Sequence, residues 1–286
     1  MAGAEHEAAR APPDGARGDS WSEVKGAERV VQAAAKLARL GNSPPEAKAR
    51  ERYLALLAPK PGEIVIDVGA GAGVVTAEIA KRVAPGGRVF AVDPSAGLLD
   101  VARATTREAG IGHLVDIRVA DGRDLPFGLS AFDAAFCRWV LMHIDGPEKV
   151  IAEMRRVTRR GGRVVAVEFD WETVMVYPGD RVVTRRILNN AADRQIDPWI
   201  GRRLPSLFSG QGFADVTVET IVTTDEGGGD RVWLDYLFER AALAVSAGVV
   251  TREEAVRWMA ALDDGFNNKN FLFGSTQFIV LGRVPM

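Results

Sequence analysis

A chain of 286 residues that is 47% hydrophobic and 26% charged has enough apolar mass for one large domain, or for a domain with a cap. Its formal net charge of −2 supplies no basic field for nucleic acid, and no apolar run reaches the ~18 residues of a membrane span. The single cysteine, Cys137, excludes an internal disulfide and a cysteine-rich zinc site. The amino terminus lacks the apolar segment of a signal peptide, so a cytoplasmic enzyme is expected.

Residues 1–20, rich in Ala, Gly, Arg and Pro and without periodicity, read as a disordered tail in which His6 has no role. A single domain, 21–286, is expected to follow, with residues 21–60 as a helical cap. Val24, Ala27, Val31, Ala34 and Ala38 recur at helical spacing, and Gly41 to Pro45 breaks that helix. A second helix runs through Tyr53, Leu54 and Leu57 to the stop at Pro59–Gly62. Arg52 and Tyr53 are read either as ordinary helix surface or as contacts over a ligand.

Ile64, Val65, Ile66 and Val68 then form a short apolar run suited to a strand covered on both faces, with Asp67 at its carboxyl end. Gly69, Ala70, Gly71 and Gly73 make a turn in which backbone and ligand can approach closely, and Val74, Val75, Ile79 and Val83 give one face of the next helix. Asp93, with Pro94 beside it, ends a second strand, Arg88–Val92, 24 residues past Gly69. An acid at about that distance accepts hydrogen bonds from ribose hydroxyls. A strand, a glycine turn, a helix and a following acid point to a nucleoside-binding α/β domain. Dinucleotide enzymes carry G-x-G-x-x-G, whereas here the pattern is Asp67-x-Gly69-x-Gly71-x-Gly73. A carboxylate next to the turn suits a free amino group and repels a pyrophosphate.

This pattern resembles motif I of the class I S-adenosylmethionine (SAM)-dependent methyltransferases, and the resemblance covers about Leu54 to Gly212. It implies an α/β, Rossmann-like fold: a mostly parallel seven-stranded sheet in the order 3-2-1-4-5-7-6, helices on both faces and the last strand antiparallel. SAM is the implied cofactor and S-adenosylhomocysteine its product. Ser95 caps the helix after Asp93, and a third strand runs from Leu114 to Val119. In the resembled family an acid after this strand accepts from the adenine amino group and the next N–H meets a ring nitrogen, which assigns Asp121 and Gly122; the plain alternative is a turn pair. The fourth strand, Phe132–Cys137, is followed by Arg138, where the backbone is expected to touch the amino-acid end of SAM. Cys137 is read as a core residue.

Two residues are catalytic candidates, His143 and Glu168. His143 is read as structural or as a general base, and Glu168, at the end of a fifth strand Arg163–Glu168, as its alternative, with Asp170 nearby. Asp145 and Glu148 are expected to cap the helix between them and that strand, and the arginines from Arg155 to Arg160 to form a solvated helix end. Helical insertions are expected over 172–198 and 225–273: a helix from Asp180 to Arg194, another from Pro198 to Gly212 leading to a strand Phe213–Val222, a helix through Val232 to Leu243, and one opened by a Thr251–Glu254 capping box. Ser275–Val284 is the last strand. Their aromatic residues suggest a lid over an apolar acceptor, or ordinary core. The expected reaction is methyl transfer from SAM to a small organic acceptor, apolar or aromatic, at carbon, oxygen or nitrogen, without a metal. Two other readings stand beside it: cyclisation or isomerisation on the same fold without transfer, and a non-catalytic SAM-binding module. No nucleic acid or membrane-span partner is expected, and a homodimer is left open.

Overall fold

A computed structural model describes residues 27–286. The tail 1–20, the cap's start at residue 21 and the first helix's predicted start at Val24 lie outside the described residues. The described residues begin with α1 (Ala27–Asn42) and α2 (Pro44–Leu57), separated at Ser43. Then strands and helices alternate: β1 (Ile64–Val68), α3 (Val74–Val83), β2 (Arg88–Asp93), α4 (Ala96–Glu108), β3 (Val115–Val119), β4 (Phe132–Arg138), α5 (Pro147–Val157) and β5 (Thr158–Tyr177). The rest is α6 (Arg181–Asp193), α7 (Ile200–Gly210), β6 (Ala214–Asp225), α8 (Val232–Ser246), α9 (Arg252–Asn267) and β7 (Leu272–Arg283).

The seven strands lie in the order β3-β2-β1-β4-β5-β7-β6. Pairs from β3 to β5 are parallel, and β7 runs antiparallel to both β5 and β6. The alternation of side chains along each strand gives two buried layers. Val65, Ala134, Phe136, Val165 and Val167 face α2 and α3, where Tyr53, Leu57, Ile79 and Val83 cover them. Ile66, Val68, Ala135, Cys137, Val164 and Ala166 belong to the opposite layer, with Val150 and Met154 of α5 and Leu204 and Phe208 of α7. Tyr53 is therefore core, tilted against Phe136 with ring centroids 5.3 Å apart, and Arg52 pairs with Glu219 at the surface at 2.5 Å. Cys137 is a buried free thiol whose pKa burial pushes well up.

Two local expectations change. The start of α5 is capped by Gly146 in the left-handed conformation, φ 73°, with Pro147 at the first helical position; Asp145 is not the N-cap and Glu148 does not close a box. Proline's fixed φ sets the helix start without a side-chain cap. The larger change is β5, which continues nine residues past Glu168 to Tyr177. Its pairing with β4 ends at Arg138↔Val167, but its pairing with β7 runs on to Tyr177↔Leu272, across an irregularity between Asp170 and Met175. The strands β5, β7 and β6 thus project beyond the carboxyl edge of the parallel sheet as an arm, and α6 packs on β5 there, joined by α8 and α9. The first inserted helix begins only at Arg181, capped by the Asp180 side chain on the N–H groups of Val182 and Val183, both at 2.9 Å. The N-cap at Ser95 and the capping box at Thr251–Glu254 form as read.

Candidate functional site

The carboxyl ends of β3, β2, β1 and β4 lie side by side, and each delivers one of the residues expected from sequence. Asp67 ends β1, buried on the α3 side, where the Thr76 hydroxyl donates to its Oδ2 at 2.6 Å. Burial raises its pKa to about 6, with Thr76 and, more distantly, the Arg138 charge working against the rise. Asp93 ends β2. Its Oδ2 accepts the Gly71 N–H at 3.0 Å and its Oδ1 the Ser95 N–H at 2.8 Å. Burial also raises the Asp93 pKa, opposed by those two backbone donors. Pro94 is exposed at the strand end.

The turn between β1 and α3 is closed on itself. Gly69 and Ala70 both donate to the carbonyl of Val92, at 2.7 and 3.0 Å, and Gly73 donates to that of Ala70 at 2.9 Å. With Gly71 bonded to Asp93, the backbone donors at 69, 70, 71 and 73 are all engaged. At these four positions the groups an anion cradle would use are spent within the protein. What it offers instead is close approach. Gly69, Gly71 and Gly73 all have positive φ. A Cβ on Gly69 would lie 2.2 Å from Val140 Cγ2 and one on Gly73 2.9 Å from Ala102 Cβ, whereas one on Gly71 would meet only Leu37 Cδ1, at 3.5 Å. Gly71 is the least crowded of the three, and its one near neighbour is Leu37 of α1.

Asp121 follows β3, half-buried, and its carboxylate is paired with Arg123 at 2.6 Å, which lowers its pKa. Gly122 packs on the end of β1, where a Cβ would lie 2.9 Å from Val68 Cγ1. The Ala120 N–H donates to the Asp93 carbonyl at 3.2 Å, which ties this loop to the end of β2.

Beyond β4 the backbone donors are again engaged. Trp139 N–H bonds to the Val167 carbonyl at 2.9 Å, and the N–H groups of Val140 and Leu141 donate to Glu168 Oε1 at 2.8 and 2.7 Å. The backbone after Arg138 is thus committed to the sheet and to Glu168. The Arg138 side chain is committed as well: it pairs with Glu46 of α2, which is fully buried, and its guanidinium lies 3.2 Å from the centroid of the Trp139 ring. Gln277 of β7 completes the cluster, donating to Glu46 at 2.7 Å and accepting from the Trp139 indole at 3.3 Å.

Glu168 is completely buried. Burial pushes its pKa up to about 8, against the N–H groups at 140, 141 and 142, and Oε2 has no hydrogen-bond partner. His143, half-buried, closes the short 3-10 turn 141–143 with its N–H on the Val140 carbonyl at 3.1 Å. Asp170 is held by Arg202 of α7, with one contact at 2.7 Å. Around these strand ends Trp139 stacks on Phe169 at 4.5 Å, Trp171 on Tyr236 at 5.9 Å and Trp233 on Phe273 at 4.4 Å. The rings join β4, the β5–β7 arm and α8 in one apolar cluster. Two open clefts of about 540 and 520 Å³ elsewhere on the surface include none of these residues, and among the described residues no group of His, Cys, Asp and Glu could hold a metal.

The sequence reading missed Thr76, Glu46, Gln277 and Val140. Thr76 and Val140 stand one turn and two residues from motif positions and could have been sought there. Glu46 in the first turn of a helix reads as a surface residue favoured by the helix dipole, and nothing in the sequence joins it to residues 138 and 277.

Residues 66–166 match a family described as "Methyltransferase domain". A 37.1 kDa protein from a transposon of Streptomyces fradiae is 34% identical over 227 residues, 78% of this chain and 63% of that protein. A demethylmenaquinone methyltransferase of Corynebacterium kroppenstedtii is 36% identical over 121 residues, 42% of this chain and 48% of that enzyme. The chain thus spans less than two thirds of the first relative and about half of the second. The fold matches that of the YcgJ protein from Bacillus subtilis, with a TM-score of 0.58 at 18% identity over 84% of this chain and 99% of that one. It also matches the [4+2]-cyclase SpnF, with a TM-score of 0.52 at 20% identity over 84% of this chain and 80% of that one. Over residues 66–166 the chain thus carries a methyltransferase domain, its fold is that of the class I SAM-dependent methyltransferases, and over part of its length it is related to the quinone and menaquinone C-methyltransferases.

Proposed function

We propose that the chain binds SAM across the carboxyl ends of β1, β2 and β4 and transfers its methyl group to a small, apolar or aromatic organic acceptor. The observation that carries this is the turn itself. Its N–H groups at 69, 70, 71 and 73 are bonded internally, while two buried carboxylates, Asp67 and Asp93, stand at the ends of the adjacent strands β1 and β2. That arrangement fits an amino-acid-bearing nucleoside and disfavours a pyrophosphate. On this reading Asp93 accepts from the ribose hydroxyls, and Asp121 and Gly122 meet the adenine edge.

SAM supplies an already activated methyl group on a sulfonium, so the chain's task is alignment. The aromatic cluster from Trp139 to Phe273 supports an apolar acceptor, with α8 as its cover. Of the candidate bases, Glu168 is held by the 140–141 loop and Asp170 by Arg202. An imidazole suits proton transfer near neutral pH, so His143 is read as the base where the acceptor must lose a proton.

The same engagement of Glu168 and Asp170 favours a second reading, in which a substrate is cyclised or isomerised beside bound SAM without transfer, as the name of the similar cyclase suggests. Incubation with methyl-labelled SAM and a panel of phenols, quinones, amines and polyketides separates them. Label in the product is the expected result. Conversion with SAM unconsumed supports the second reading, and SAM binding with no conversion on any acceptor supports a binding module.

A further inference from the structure

We propose that Arg138 grips the carboxylate of the cofactor's amino-acid part with its side chain, and that Glu46, with Gln277, is the positioning residue that holds Arg138 in place. The inference rests on the SAM reading above and goes beyond it in naming the group recognised.

A guanidinium in the middle of a fold is costly unless its donors are matched. Arg138 is 11% exposed and Glu46 not at all. One Nη of Arg138 is paired with Glu46, and its flat face lies on Trp139. Gln277 fixes both neighbours at once through Glu46 and the Trp139 indole. Trp139 itself is held at φ 58°, a conformation that a bulky residue adopts rarely and only when its surroundings impose it. Three residues, Glu46 of α2, Gln277 of β7 and Trp139 just after β4, therefore fix one fork. Yet Arg138 Nε is buried with no hydrogen-bond partner. A strongly immobilised cation with an unused buried donor is a receptor for an oxygen anion.

The placement matches an α-amino acid. β1 and β4 are neighbours, with Asp67 opposite Phe136 and Val68 opposite Cys137, so Asp67 and Arg138 stand at adjacent strand ends. The Arg138 charge is felt at Asp67. A zwitterion lying there meets a carboxylate for its ammonium and a guanidinium for its carboxylate. The backbone cannot serve in place of the side chain, because the N–H groups at 139, 140 and 141 are all engaged.

The test compares SAM with decarboxylated SAM, which differs only in the group at issue, by calorimetry. The unaltered protein is expected to bind SAM at least about tenfold more tightly, the contribution of one charge-assisted hydrogen bond. The double variant Arg138→Met/Glu46→Gln, which leaves no unpaired buried charge, is expected to lose that preference while keeping its affinity for decarboxylated SAM. Arg138→Lys, which keeps the charge and the ion pair, serves if the double variant fails to fold, and is expected to narrow the preference several-fold. Glu46→Gln alone is expected to narrow it too, with decarboxylated SAM unaffected. An unchanged preference in the folded variants, or equal losses for both ligands, overturns the proposal. An unaltered protein that binds neither ligand instead overturns the SAM reading beneath it.

Discussion

Val140 occupies the space that a side chain on Gly69 would need: a Cβ there would stand 2.2 Å from Val140 Cγ2, although the two residues belong to different strand ends. Val140 is in turn fixed through its N–H by Glu168. Gly69 is therefore required by the protein's own packing, whereas a Cβ on Gly71 would make only an ordinary contact with Leu37. The two glycines should respond differently. Gly69→Ala combines overpacking, about 1–3 kcal/mol, with an unfavourable positive φ, and is expected to lower the melting temperature strongly. Gly71→Ala carries only the backbone strain, about 1–2 kcal/mol, and is expected to fold and to lose SAM binding. Melting curves and calorimetry on both variants check this. A folded Gly71→Ala protein that binds SAM normally removes the turn from the cofactor site.

Asp93 supports the turn and faces the nucleoside at once. Removing it as Asp93→Ala deletes the acceptor for Gly71 and Ser95 and, on the proposed function, two ribose hydrogen bonds of about 1.5–3 kcal/mol each. The SAM dissociation constant is expected to rise tenfold or more. If it does not move in a folded variant, the ribose is held elsewhere.

How far these roles could be read in advance depended on whether they were local. Asp67, the glycines and Asp93 are set by strand-turn-helix periodicity, and the sheet order followed from the motif's resemblance. The capping box at Thr251 was likewise local. The extension of β5 runs through Thr173, Val174, Val176 and Tyr177, good strand formers, where a helical insertion from residue 172 is expected from sequence. Asp170 is in fact buried there by Arg202 from α7, a partner 32 residues away. The cluster of Glu46, Arg138 and Gln277 is the extreme case, joining residues up to 231 positions apart. No periodicity or spacing encodes such a contact; only the completed sheet brings its members together.

His143 divides two readings cleanly. As a base it would contribute about 10²–10⁴-fold to turnover; as a turn residue it would contribute to stability. His143→Ala is expected to reduce turnover within that range while SAM affinity and melting temperature stay close to those of the unaltered protein. A full retained rate eliminates it as a base, and a large fall in melting temperature with proportionate loss of SAM binding assigns it to the 141–143 turn.

Glu168 is a carboxyl whose burial should be visible as a pH dependence of stability. Its pKa is about 8 in the folded protein against an ordinary 4.5. Between those values the unfolded chain has released the proton and the folded one has kept it, so folding takes up a proton and stability declines as pH rises. The contribution of the protonated carboxyl is complete below pH 4.5, is lost at up to about 1.4 kcal/mol per pH unit through the interval, and is gone above pH 8. Glu168→Gln keeps an oxygen to accept from Val140 and Leu141 and cannot ionise. Its amide brings a donor to the place of the unpartnered Oε2, which shifts stability by an amount that does not change with pH. The difference in melting temperature between the unaltered protein and Glu168→Gln is therefore expected to fall steadily from about pH 5 to pH 8 and then level off. A difference that stays constant across that range shows that Glu168 does not hold a proton in the folded state.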